Sequence, residues 1–238
     1  MNNAPIGIFD SGVGGLTVLG ALRTKLPRER FVYVSDARSG GWGSLPVPEI
    51  VSRVQACVEL LHKEKCKLIV AACNTATSVC IETLRKESST PFVGVEPAIK
   101  PAREAFPKGR LLLLCTPATA RTERVRRLLV SYGGENAEVF PLPTLASDVE
   151  KNFLRQDALT PFVEELLRAH PCDAVILGCT HYSFLRSAFE HVMGKARVFD
   201  GTDGVARRVA ALLSELNLPA EKGEPSILFR YIGTDGAE

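Results

Sequence analysis

Two of the seven cysteines in this chain sit where a thiol can do chemistry. Cys73 and Cys179 are each the first residue on the polar side of an apolar run, in Ala72-Cys73-Asn74-Thr75 and Leu177-Gly178-Cys179-Thr180-His181. A free cysteine is usually a small buried apolar group. That reading suffices for Cys57, Cys66, Cys80, Cys115 and Cys172. At Cys73 and Cys179 a helical pattern follows at once, and the free amides of a helix start lower a thiol's pKa. Two thiols facing one carbon suit inversion: one removes a proton from one side, and the other returns a proton from the opposite side. Asp10 is placed to assist Cys73, and His181 to assist Cys179.

The remaining polar sets fall at similar places. Asp10-Ser11 ends the first apolar run, and Thr116 follows the run Leu111 to Cys115. In an open α/β sheet, ligands collect beyond the carboxyl ends of the strands, where helix-start amides can hold a carboxylate. Asp10 precedes Cys73 by 63 residues, and Thr116 precedes Cys179 by the same 63. The matched spacing points to two related lobes, each carrying one thiol. Gly12, Gly14 and Gly15 allow close backbone approach, but they lack the spacing of a dinucleotide or P-loop fingerprint.

Short apolar runs alternating with helical patterns predict an α/β protein with parallel sheets and two similar Rossmann-like lobes. The expected strands are Ile6–Phe9, Phe31–Ser35, Leu68–Ala72, Pro91–Val95, Leu111–Leu114, Glu138–Phe140, Ala174–Leu177, Val198–Phe199 and Ser226–Tyr231. Between them, helices are expected over Leu16–Leu26, Pro48–Lys63, Thr75–Glu87, Thr119–Tyr132, Pro161–Ala169, Tyr182–Val192 and Gly204–Leu216. The division predicted is residues 1–96 with 206–238 in the first lobe and 97–205 in the second.

A length of 238 residues with 45% hydrophobic and 24% charged residues fits ordinary globular domains. A net charge of +2 gives no reason to expect a nucleic-acid or membrane surface. Arg121, Arg124, Arg126 and Arg127 read as a solvated helix face. No apolar run approaches the ~20 residues that span a bilayer, and the start lacks the pattern of a secretion signal. A cytoplasmic location is therefore expected. There is no Cys-x-x-Cys pair, so no metal site of that kind is predicted.

The stretches Gly7-Ile8-Phe9-Asp10-Ser11-Gly12-Val13-Gly14-Gly15-Leu16, Ala72-Cys73-Asn74-Thr75-Ala76, Val95-Glu96-Pro97-Ala98 and Leu177-Gly178-Cys179-Thr180-His181-Tyr182 resemble the glutamate racemase family. The resemblance implies an active site between the lobes, no pyridoxal phosphate or metal, a homodimer, and a supply of D-glutamate for peptidoglycan. It implies that Cys73 handles the α-proton of D-glutamate and Cys179 that of L-glutamate, supported by Asp10 and His181. Ser11, Asn74, Thr75 and Thr180 would bind the ammonium and carboxylates, with Thr116 and Thr119 lining the site.

The chain departs from the family pattern in three places. A Pro-Tyr-Gly stretch after the second strand, whose amides hold a carboxylate, is matched by Gly41-Trp42-Gly43. This implies substrate contacts from Trp42 and Gly43, on a loop that substrate must first order, so Gly41→Pro with Trp42→Tyr is expected to strengthen binding. A Leu-Val-Glu stretch, whose glutamate supports the active-site histidine, is matched by Leu145-Ala146-Ser147, with Glu150 following. Ser183 replaces a proline after His181-Tyr182. Alternatives are an aspartate or broad-specificity racemase, and a degenerate member that binds an amino acid or a partner without turnover. A decarboxylase is disfavoured because it needs only one of the two cysteines.

Overall fold

A computed structural model describes residues 3–36, 38, 41–220 and 224–233. The chain forms two parallel sheets, in which the most continuously apolar runs take the central places because parallel strands are covered on both faces. In the first, β1 (Ile6–Asp10), β2 (Phe31–Asp36), β3 (Leu68–Ala71) and β4 (Phe92–Gly94) alternate with α1 (Leu16–Lys25), α2 (Val47–Lys63) and α3 (Asn74–Glu87). The second begins after α4 (Ile99–Ala105). It contains β5 (Leu111–Cys115), β6 (Ala137–Pro141), β7 (Ala174–Leu177) and β8 (Val198–Asp200). Its helices are α5 (Pro117–Ala120), α6 (Glu123–Leu128), α7 (Leu145–Lys151), α8 (Thr160–Ala169) and α9 (Arg186–Met193). The chain then returns through α10 (Thr202–Glu215) to β9 (Ile227–Ile232), which pairs with β2.

The strand orders are β4-β3-β1-β2-β9 and β8-β7-β5-β6. Apart from β9 they are one topology used twice, with β5 to β8 standing for β1 to β4. The repeat legible in the spacing is therefore a repeat of fold. In each sheet the chain reverses direction between the first and third strands, which is where an open sheet leaves a crevice for ligand. Asp10 and Cys73 flank that crevice in one sheet, Thr116 and Cys179 in the other.

Period-two alternation divides each sheet into two cores. Phe9, Val34, Ile69 and Ala71 pack under α2 and α3, while Ile8, Tyr33, Leu68 and Val70 pack with residues of α1 and α10. Leu112, Leu114, Val175 and Leu177 meet residues of α7, α8 and α9 on one face of the second sheet. Leu111, Leu113 and Ile176 meet α4 and α6 on the other. Val205, Ala206, Val209 and Leu213 of α10 lie in the first sheet's core.

One expectation needs correction. The single helix over Thr119–Tyr132 is instead α5, α6 and a wider turn over Leu129–Gly133. The cause is local: Thr116 and Thr122 each accept a backbone amide three residues on, so a second helix start interrupts the first. Arg121, Arg126 and Arg127 are exposed as the solvated face requires, but Arg124 and Arg127 also make cross-lobe ion pairs. Arg124 reaches across to Glu82 of α3 at 3.0 Å and to Glu96, and Arg127 reaches Glu82 at 2.7 Å, tying the second lobe to the first. Helices α4 and α7 were not anticipated from the sequence. Among the described residues, no helix is long and apolar enough to cross a membrane.

Candidate active site

The carboxyl ends of the two sheets meet, and the residues singled out in the sequence line the meeting. Asp10, at the end of β1, is fully buried. Its Oδ2 accepts the amides of Gly12 (3.2 Å) and Gly15 (3.0 Å), and its Oδ1 accepts the Thr180 hydroxyl from the second lobe at 3.4 Å. Burial raises the Asp10 pKa from its ordinary value, against the opposing pull of His181 and the backbone amides. Cys73 leaves β3 in an extended conformation, and its carbonyl starts α3 by accepting the Thr77 amide at 2.9 Å. Its Sγ lies 3.6 Å from the Ser11 hydroxyl. Burial and the neighbouring Asp10 charge push this thiol strongly up, so it rests protonated.

Cys179 occupies the equivalent place after β7. Its Sγ is 3.9 Å from His181 Nδ1, and the other ring nitrogen lies 2.9 Å from Glu150 Oε1. Burial opposes a charged imidazole, but the Cys179 thiol and the Glu150 carboxylate outweigh it and hold His181 well above its usual pKa. The two thiols are close enough for charge on Cys179 to oppose charge on Cys73. The site thus has two dissimilar halves, a thiol beside a buried carboxyl and a thiol beside an imidazole–carboxylate pair.

Glu150 is the site residue that the sequence reading left out of its set. The histidine's carboxylate comes from this position, not from Ser147. Leu145 and Val149 are buried one turn apart in α7, and that pair places the next residue, Glu150, toward His181. The same oxygen accepts the Val13 amide of the first lobe at 3.2 Å. The glycines admit this approach. A Cβ at Gly12 would stand 1.7 Å from Glu150 Oε1, and one at Gly14 would stand 2.5 Å from His181 Nδ1.

Three hydroxyls meet between the lobes beside the thiols. Thr75 of the first lobe lies 3.0 Å from Thr116 and 3.1 Å from Thr119 of the second, and those two are 2.9 Å apart. Beside them the Gly43 carbonyl accepts the Ala118 amide at 2.8 Å, and a Cβ at Gly43 would strike the Thr116 side chain at 2.6 Å. Asn74 donates to the Val95 carbonyl at 3.4 Å. Asp10, Ser11, Gly43, Cys73, Asn74, Thr75, Thr116, Thr119, Cys179, Thr180 and His181 are thus gathered at the facing strand ends. Among the described residues, no three His, Cys, Asp or Glu side chains are grouped so as to hold a metal ion.

Trp42 behaves differently from expectation. Its ring is held inside: 1% exposed, it packs in the cluster that contains Phe9 and Cys73. Its indole N–H donates to Asp36 Oδ2 at 2.8 Å. Asp36 also accepts from Arg38 (2.7 Å) and Arg53 (3.2 Å). Burial alone would raise its pKa, but the Arg38 and Trp42 hydrogen bonds prevail and lower it. Gly41 has φ +90°, a conformation closed to proline, so the expected gain from Gly41→Pro is withdrawn.

Comparison with known proteins agrees with this architecture. Residues 36–209 match the family model described as Asp/Glu/Hydantoin racemase. The glutamate racemase of Clostridium perfringens is 37% identical over 234 residues, covering 93% of this chain and 87% of the relative. The crystal structure of glutamate racemase from Escherichia coli, in complex with L-glutamate and an activator, is 31% identical, with a TM-score of 0.83. That match covers 97% of this chain and 90% of the other. The enzyme from Thermus thermophilus, solved with β-chloro-D-alanine, is 32% identical with a TM-score of 0.82, covering 98% of this chain and 89% of the other. With its repeated fold, paired thiols and this breadth of similarity, the chain belongs to the Asp/Glu/hydantoin racemase family.

Proposed function

We propose that this protein interconverts L- and D-glutamate without a cofactor, by proton transfer between the substrate α-carbon and two thiols on opposite faces. One observation carries the reading: Cys73 and Cys179 stand at equivalent strand ends of two copies of one fold, each with its own acid–base partner. In the direction from L to D, Cys179 as thiolate takes the α-proton and leaves a carbanion, and Cys73 as thiol protonates the other face. The reverse direction exchanges their roles. His181, held by Glu150, exchanges protons with Cys179, while Asp10 and Ser11 serve Cys73.

The hydroxyls of Ser11, Thr75, Thr116, Thr119 and Thr180, the Asn74 amide and the Trp42–Gly43 backbone bind the ammonium and the two carboxylates. Glutamate is favoured over aspartate because relatives 37% and 31% identical over most of this chain are glutamate racemases. The product supplies peptidoglycan synthesis, and the protein works as a cytoplasmic homodimer, a state that light scattering on the purified chain measures.

Circular dichroism of the protein with L- and D-glutamate, and in parallel with L- and D-aspartate, tests the reading without added cofactor. Decay of the signal with either glutamate enantiomer is expected. Turnover of aspartate alone, or a strict requirement for pyridoxal phosphate, would overturn it.

A further inference from the structure

The loop after β1 is gripped from two sides at a single peptide bond. The Gly12 carbonyl accepts both the Tyr33 hydroxyl at 2.9 Å and the Ser35 hydroxyl at 3.0 Å. Tyr33 and Ser35 are two apart on β2, so strand pleating puts both on one face, and the register sets them beside Ile8 and Asp10 of β1. Both acceptor directions of that carbonyl are thereby used. In a trans peptide the C=O and the following N–H point opposite ways. The N–H on the far side is that of Val13, which donates to Glu150 Oε1 at 3.2 Å. The oxygen that receives it is the one facing His181 Nε2 at 2.9 Å.

We propose that Tyr33 and Ser35 are positioning residues for the Cys179 half of the reaction, acting through the Gly12–Val13 peptide on Glu150 and so on His181. This inference rests on the function proposed above and names residues that neither touch substrate nor exchange its proton. With both hydroxyls in place the peptide plane cannot rotate, and its polarised N–H holds the carboxylate at the imidazole. Without them the Val13 amide turns freely, and Glu150, whose side chain is one-quarter exposed, moves off toward water. The groups that set the proton on His181 are Cys179, Glu150 and Asp10, and of these only Glu150 is reached by the hydroxyl pair through the Val13 amide. Asp10 is fixed separately by the Gly12 and Gly15 amides. The Cys73 half, which uses Asp10 and Ser11, is held by these other hydrogen bonds and is affected less.

Tyr33→Phe with Ser35→Ala, made in the full chain, tests the inference. Turnover should fall on the order of tenfold, the scale of two lost hydrogen bonds. The discriminating readout is the deuterium isotope effect with α-deuterated substrate measured separately for each enantiomer. Slowing the Cys179 step makes L-glutamate deprotonation more limiting, so the isotope effect rises with L-glutamate and falls with D-glutamate. General loss of structure would not split the two. In a Glu150→Ala background, the hydroxyl changes should add less than twofold. Tyr33→Phe alone, which keeps the buried ring, should show the same split at smaller size if the double variant folds poorly. Isotope effects that move together, or full additivity with Glu150→Ala, would overturn the inference while the unmodified enzyme stays active. An unmodified chain with no turnover would sink the functional reading and this inference together.

Discussion

Glu150 and His181 form an ion pair, Oε1 to Nε2 at 2.9 Å, in which the carboxylate also accepts an amide from the opposite lobe. The histidine, its carboxylate and the glycine loop of the first lobe are thus one assembly, completed only when the lobes meet. Glu150 raises the proton affinity of His181, so replacing it has a defined sign. In Glu150→Gln the imidazole releases its proton at lower pH than in the unmodified protein. The alkaline limb of kcat/KM should move toward lower pH, with a fall in kcat of ~10²-fold, the low end for a positioned acid–base group. An unmoved limb in the pH–rate profile would count against this pairing.

Cys73→Ala and Cys179→Ala should each abolish racemisation, because inversion needs both proton transfers. In deuterated water, Cys73→Ala should retain exchange only at the α-carbon of L-glutamate, and Cys179→Ala only at that of D-glutamate. Proton NMR of the recovered enantiomers reads this directly. Equal exchange of both enantiomers in either variant contradicts the assignment of faces. Cys172, away from the cleft and partly exposed, should be replaceable by serine with racemisation intact.

Gly12→Ala should inactivate the enzyme while leaving most of its stability. Its Cβ would occupy the position of Glu150 Oε1, at 1.7 Å, and that side chain can swing outward to yield. Expected are a kcat loss comparable with that of Glu150→Gln and a small change in melting temperature. Gly14→Ala should do more harm, since the His181 backbone nitrogen at 2.8 Å cannot yield as a side chain does. Steady-state kinetics beside thermal unfolding separate the two cases; equal loss of stability would be the contrary result.

Trp42→Phe removes the indole donor from Asp36, whose side chain is fully buried. A buried acceptor losing a partner costs ~1–3 kcal/mol. Chemical denaturation should show that loss, together with a weaker KM for glutamate if the Gly43 amide holds a substrate carboxylate. Gly41→Pro should be worse than neutral, because φ +90° is closed to proline. A stabilised Gly41→Pro protein would show that the loop conformation is other than described.

Much of this architecture is written in local patterns. Runs such as Leu68-Ile69-Val70-Ala71 and Leu111 to Leu114 are short and apolar at every position, as a strand covered on both faces requires. A polar residue directly after such a run marks the end of the strand, and so Asp10, Cys73, Thr116 and Cys179 could be placed at the ligand-binding edge without coordinates. The equal 63-residue intervals carried the repeat of the fold for the same reason.

Tertiary structure decided what depends on two lobes meeting. Glu150 lies in a short helix with only weak local signals, and a carboxylate next to a buried residue looks the same in sequence whether it faces water or a histidine. Its role is fixed by His181, 31 residues later, and by Val13 on the other lobe. Trp42 gave the same ambiguity: a ring between glycines suggests a free loop, yet Asp36 draws the indole inward through a hydrogen bond that no period in the sequence announces. Local propensity reads periodicity along one element. The orientation of a side chain toward a partner far along the chain is set by packing, where burial of a charge is tolerated only once its partner is in place.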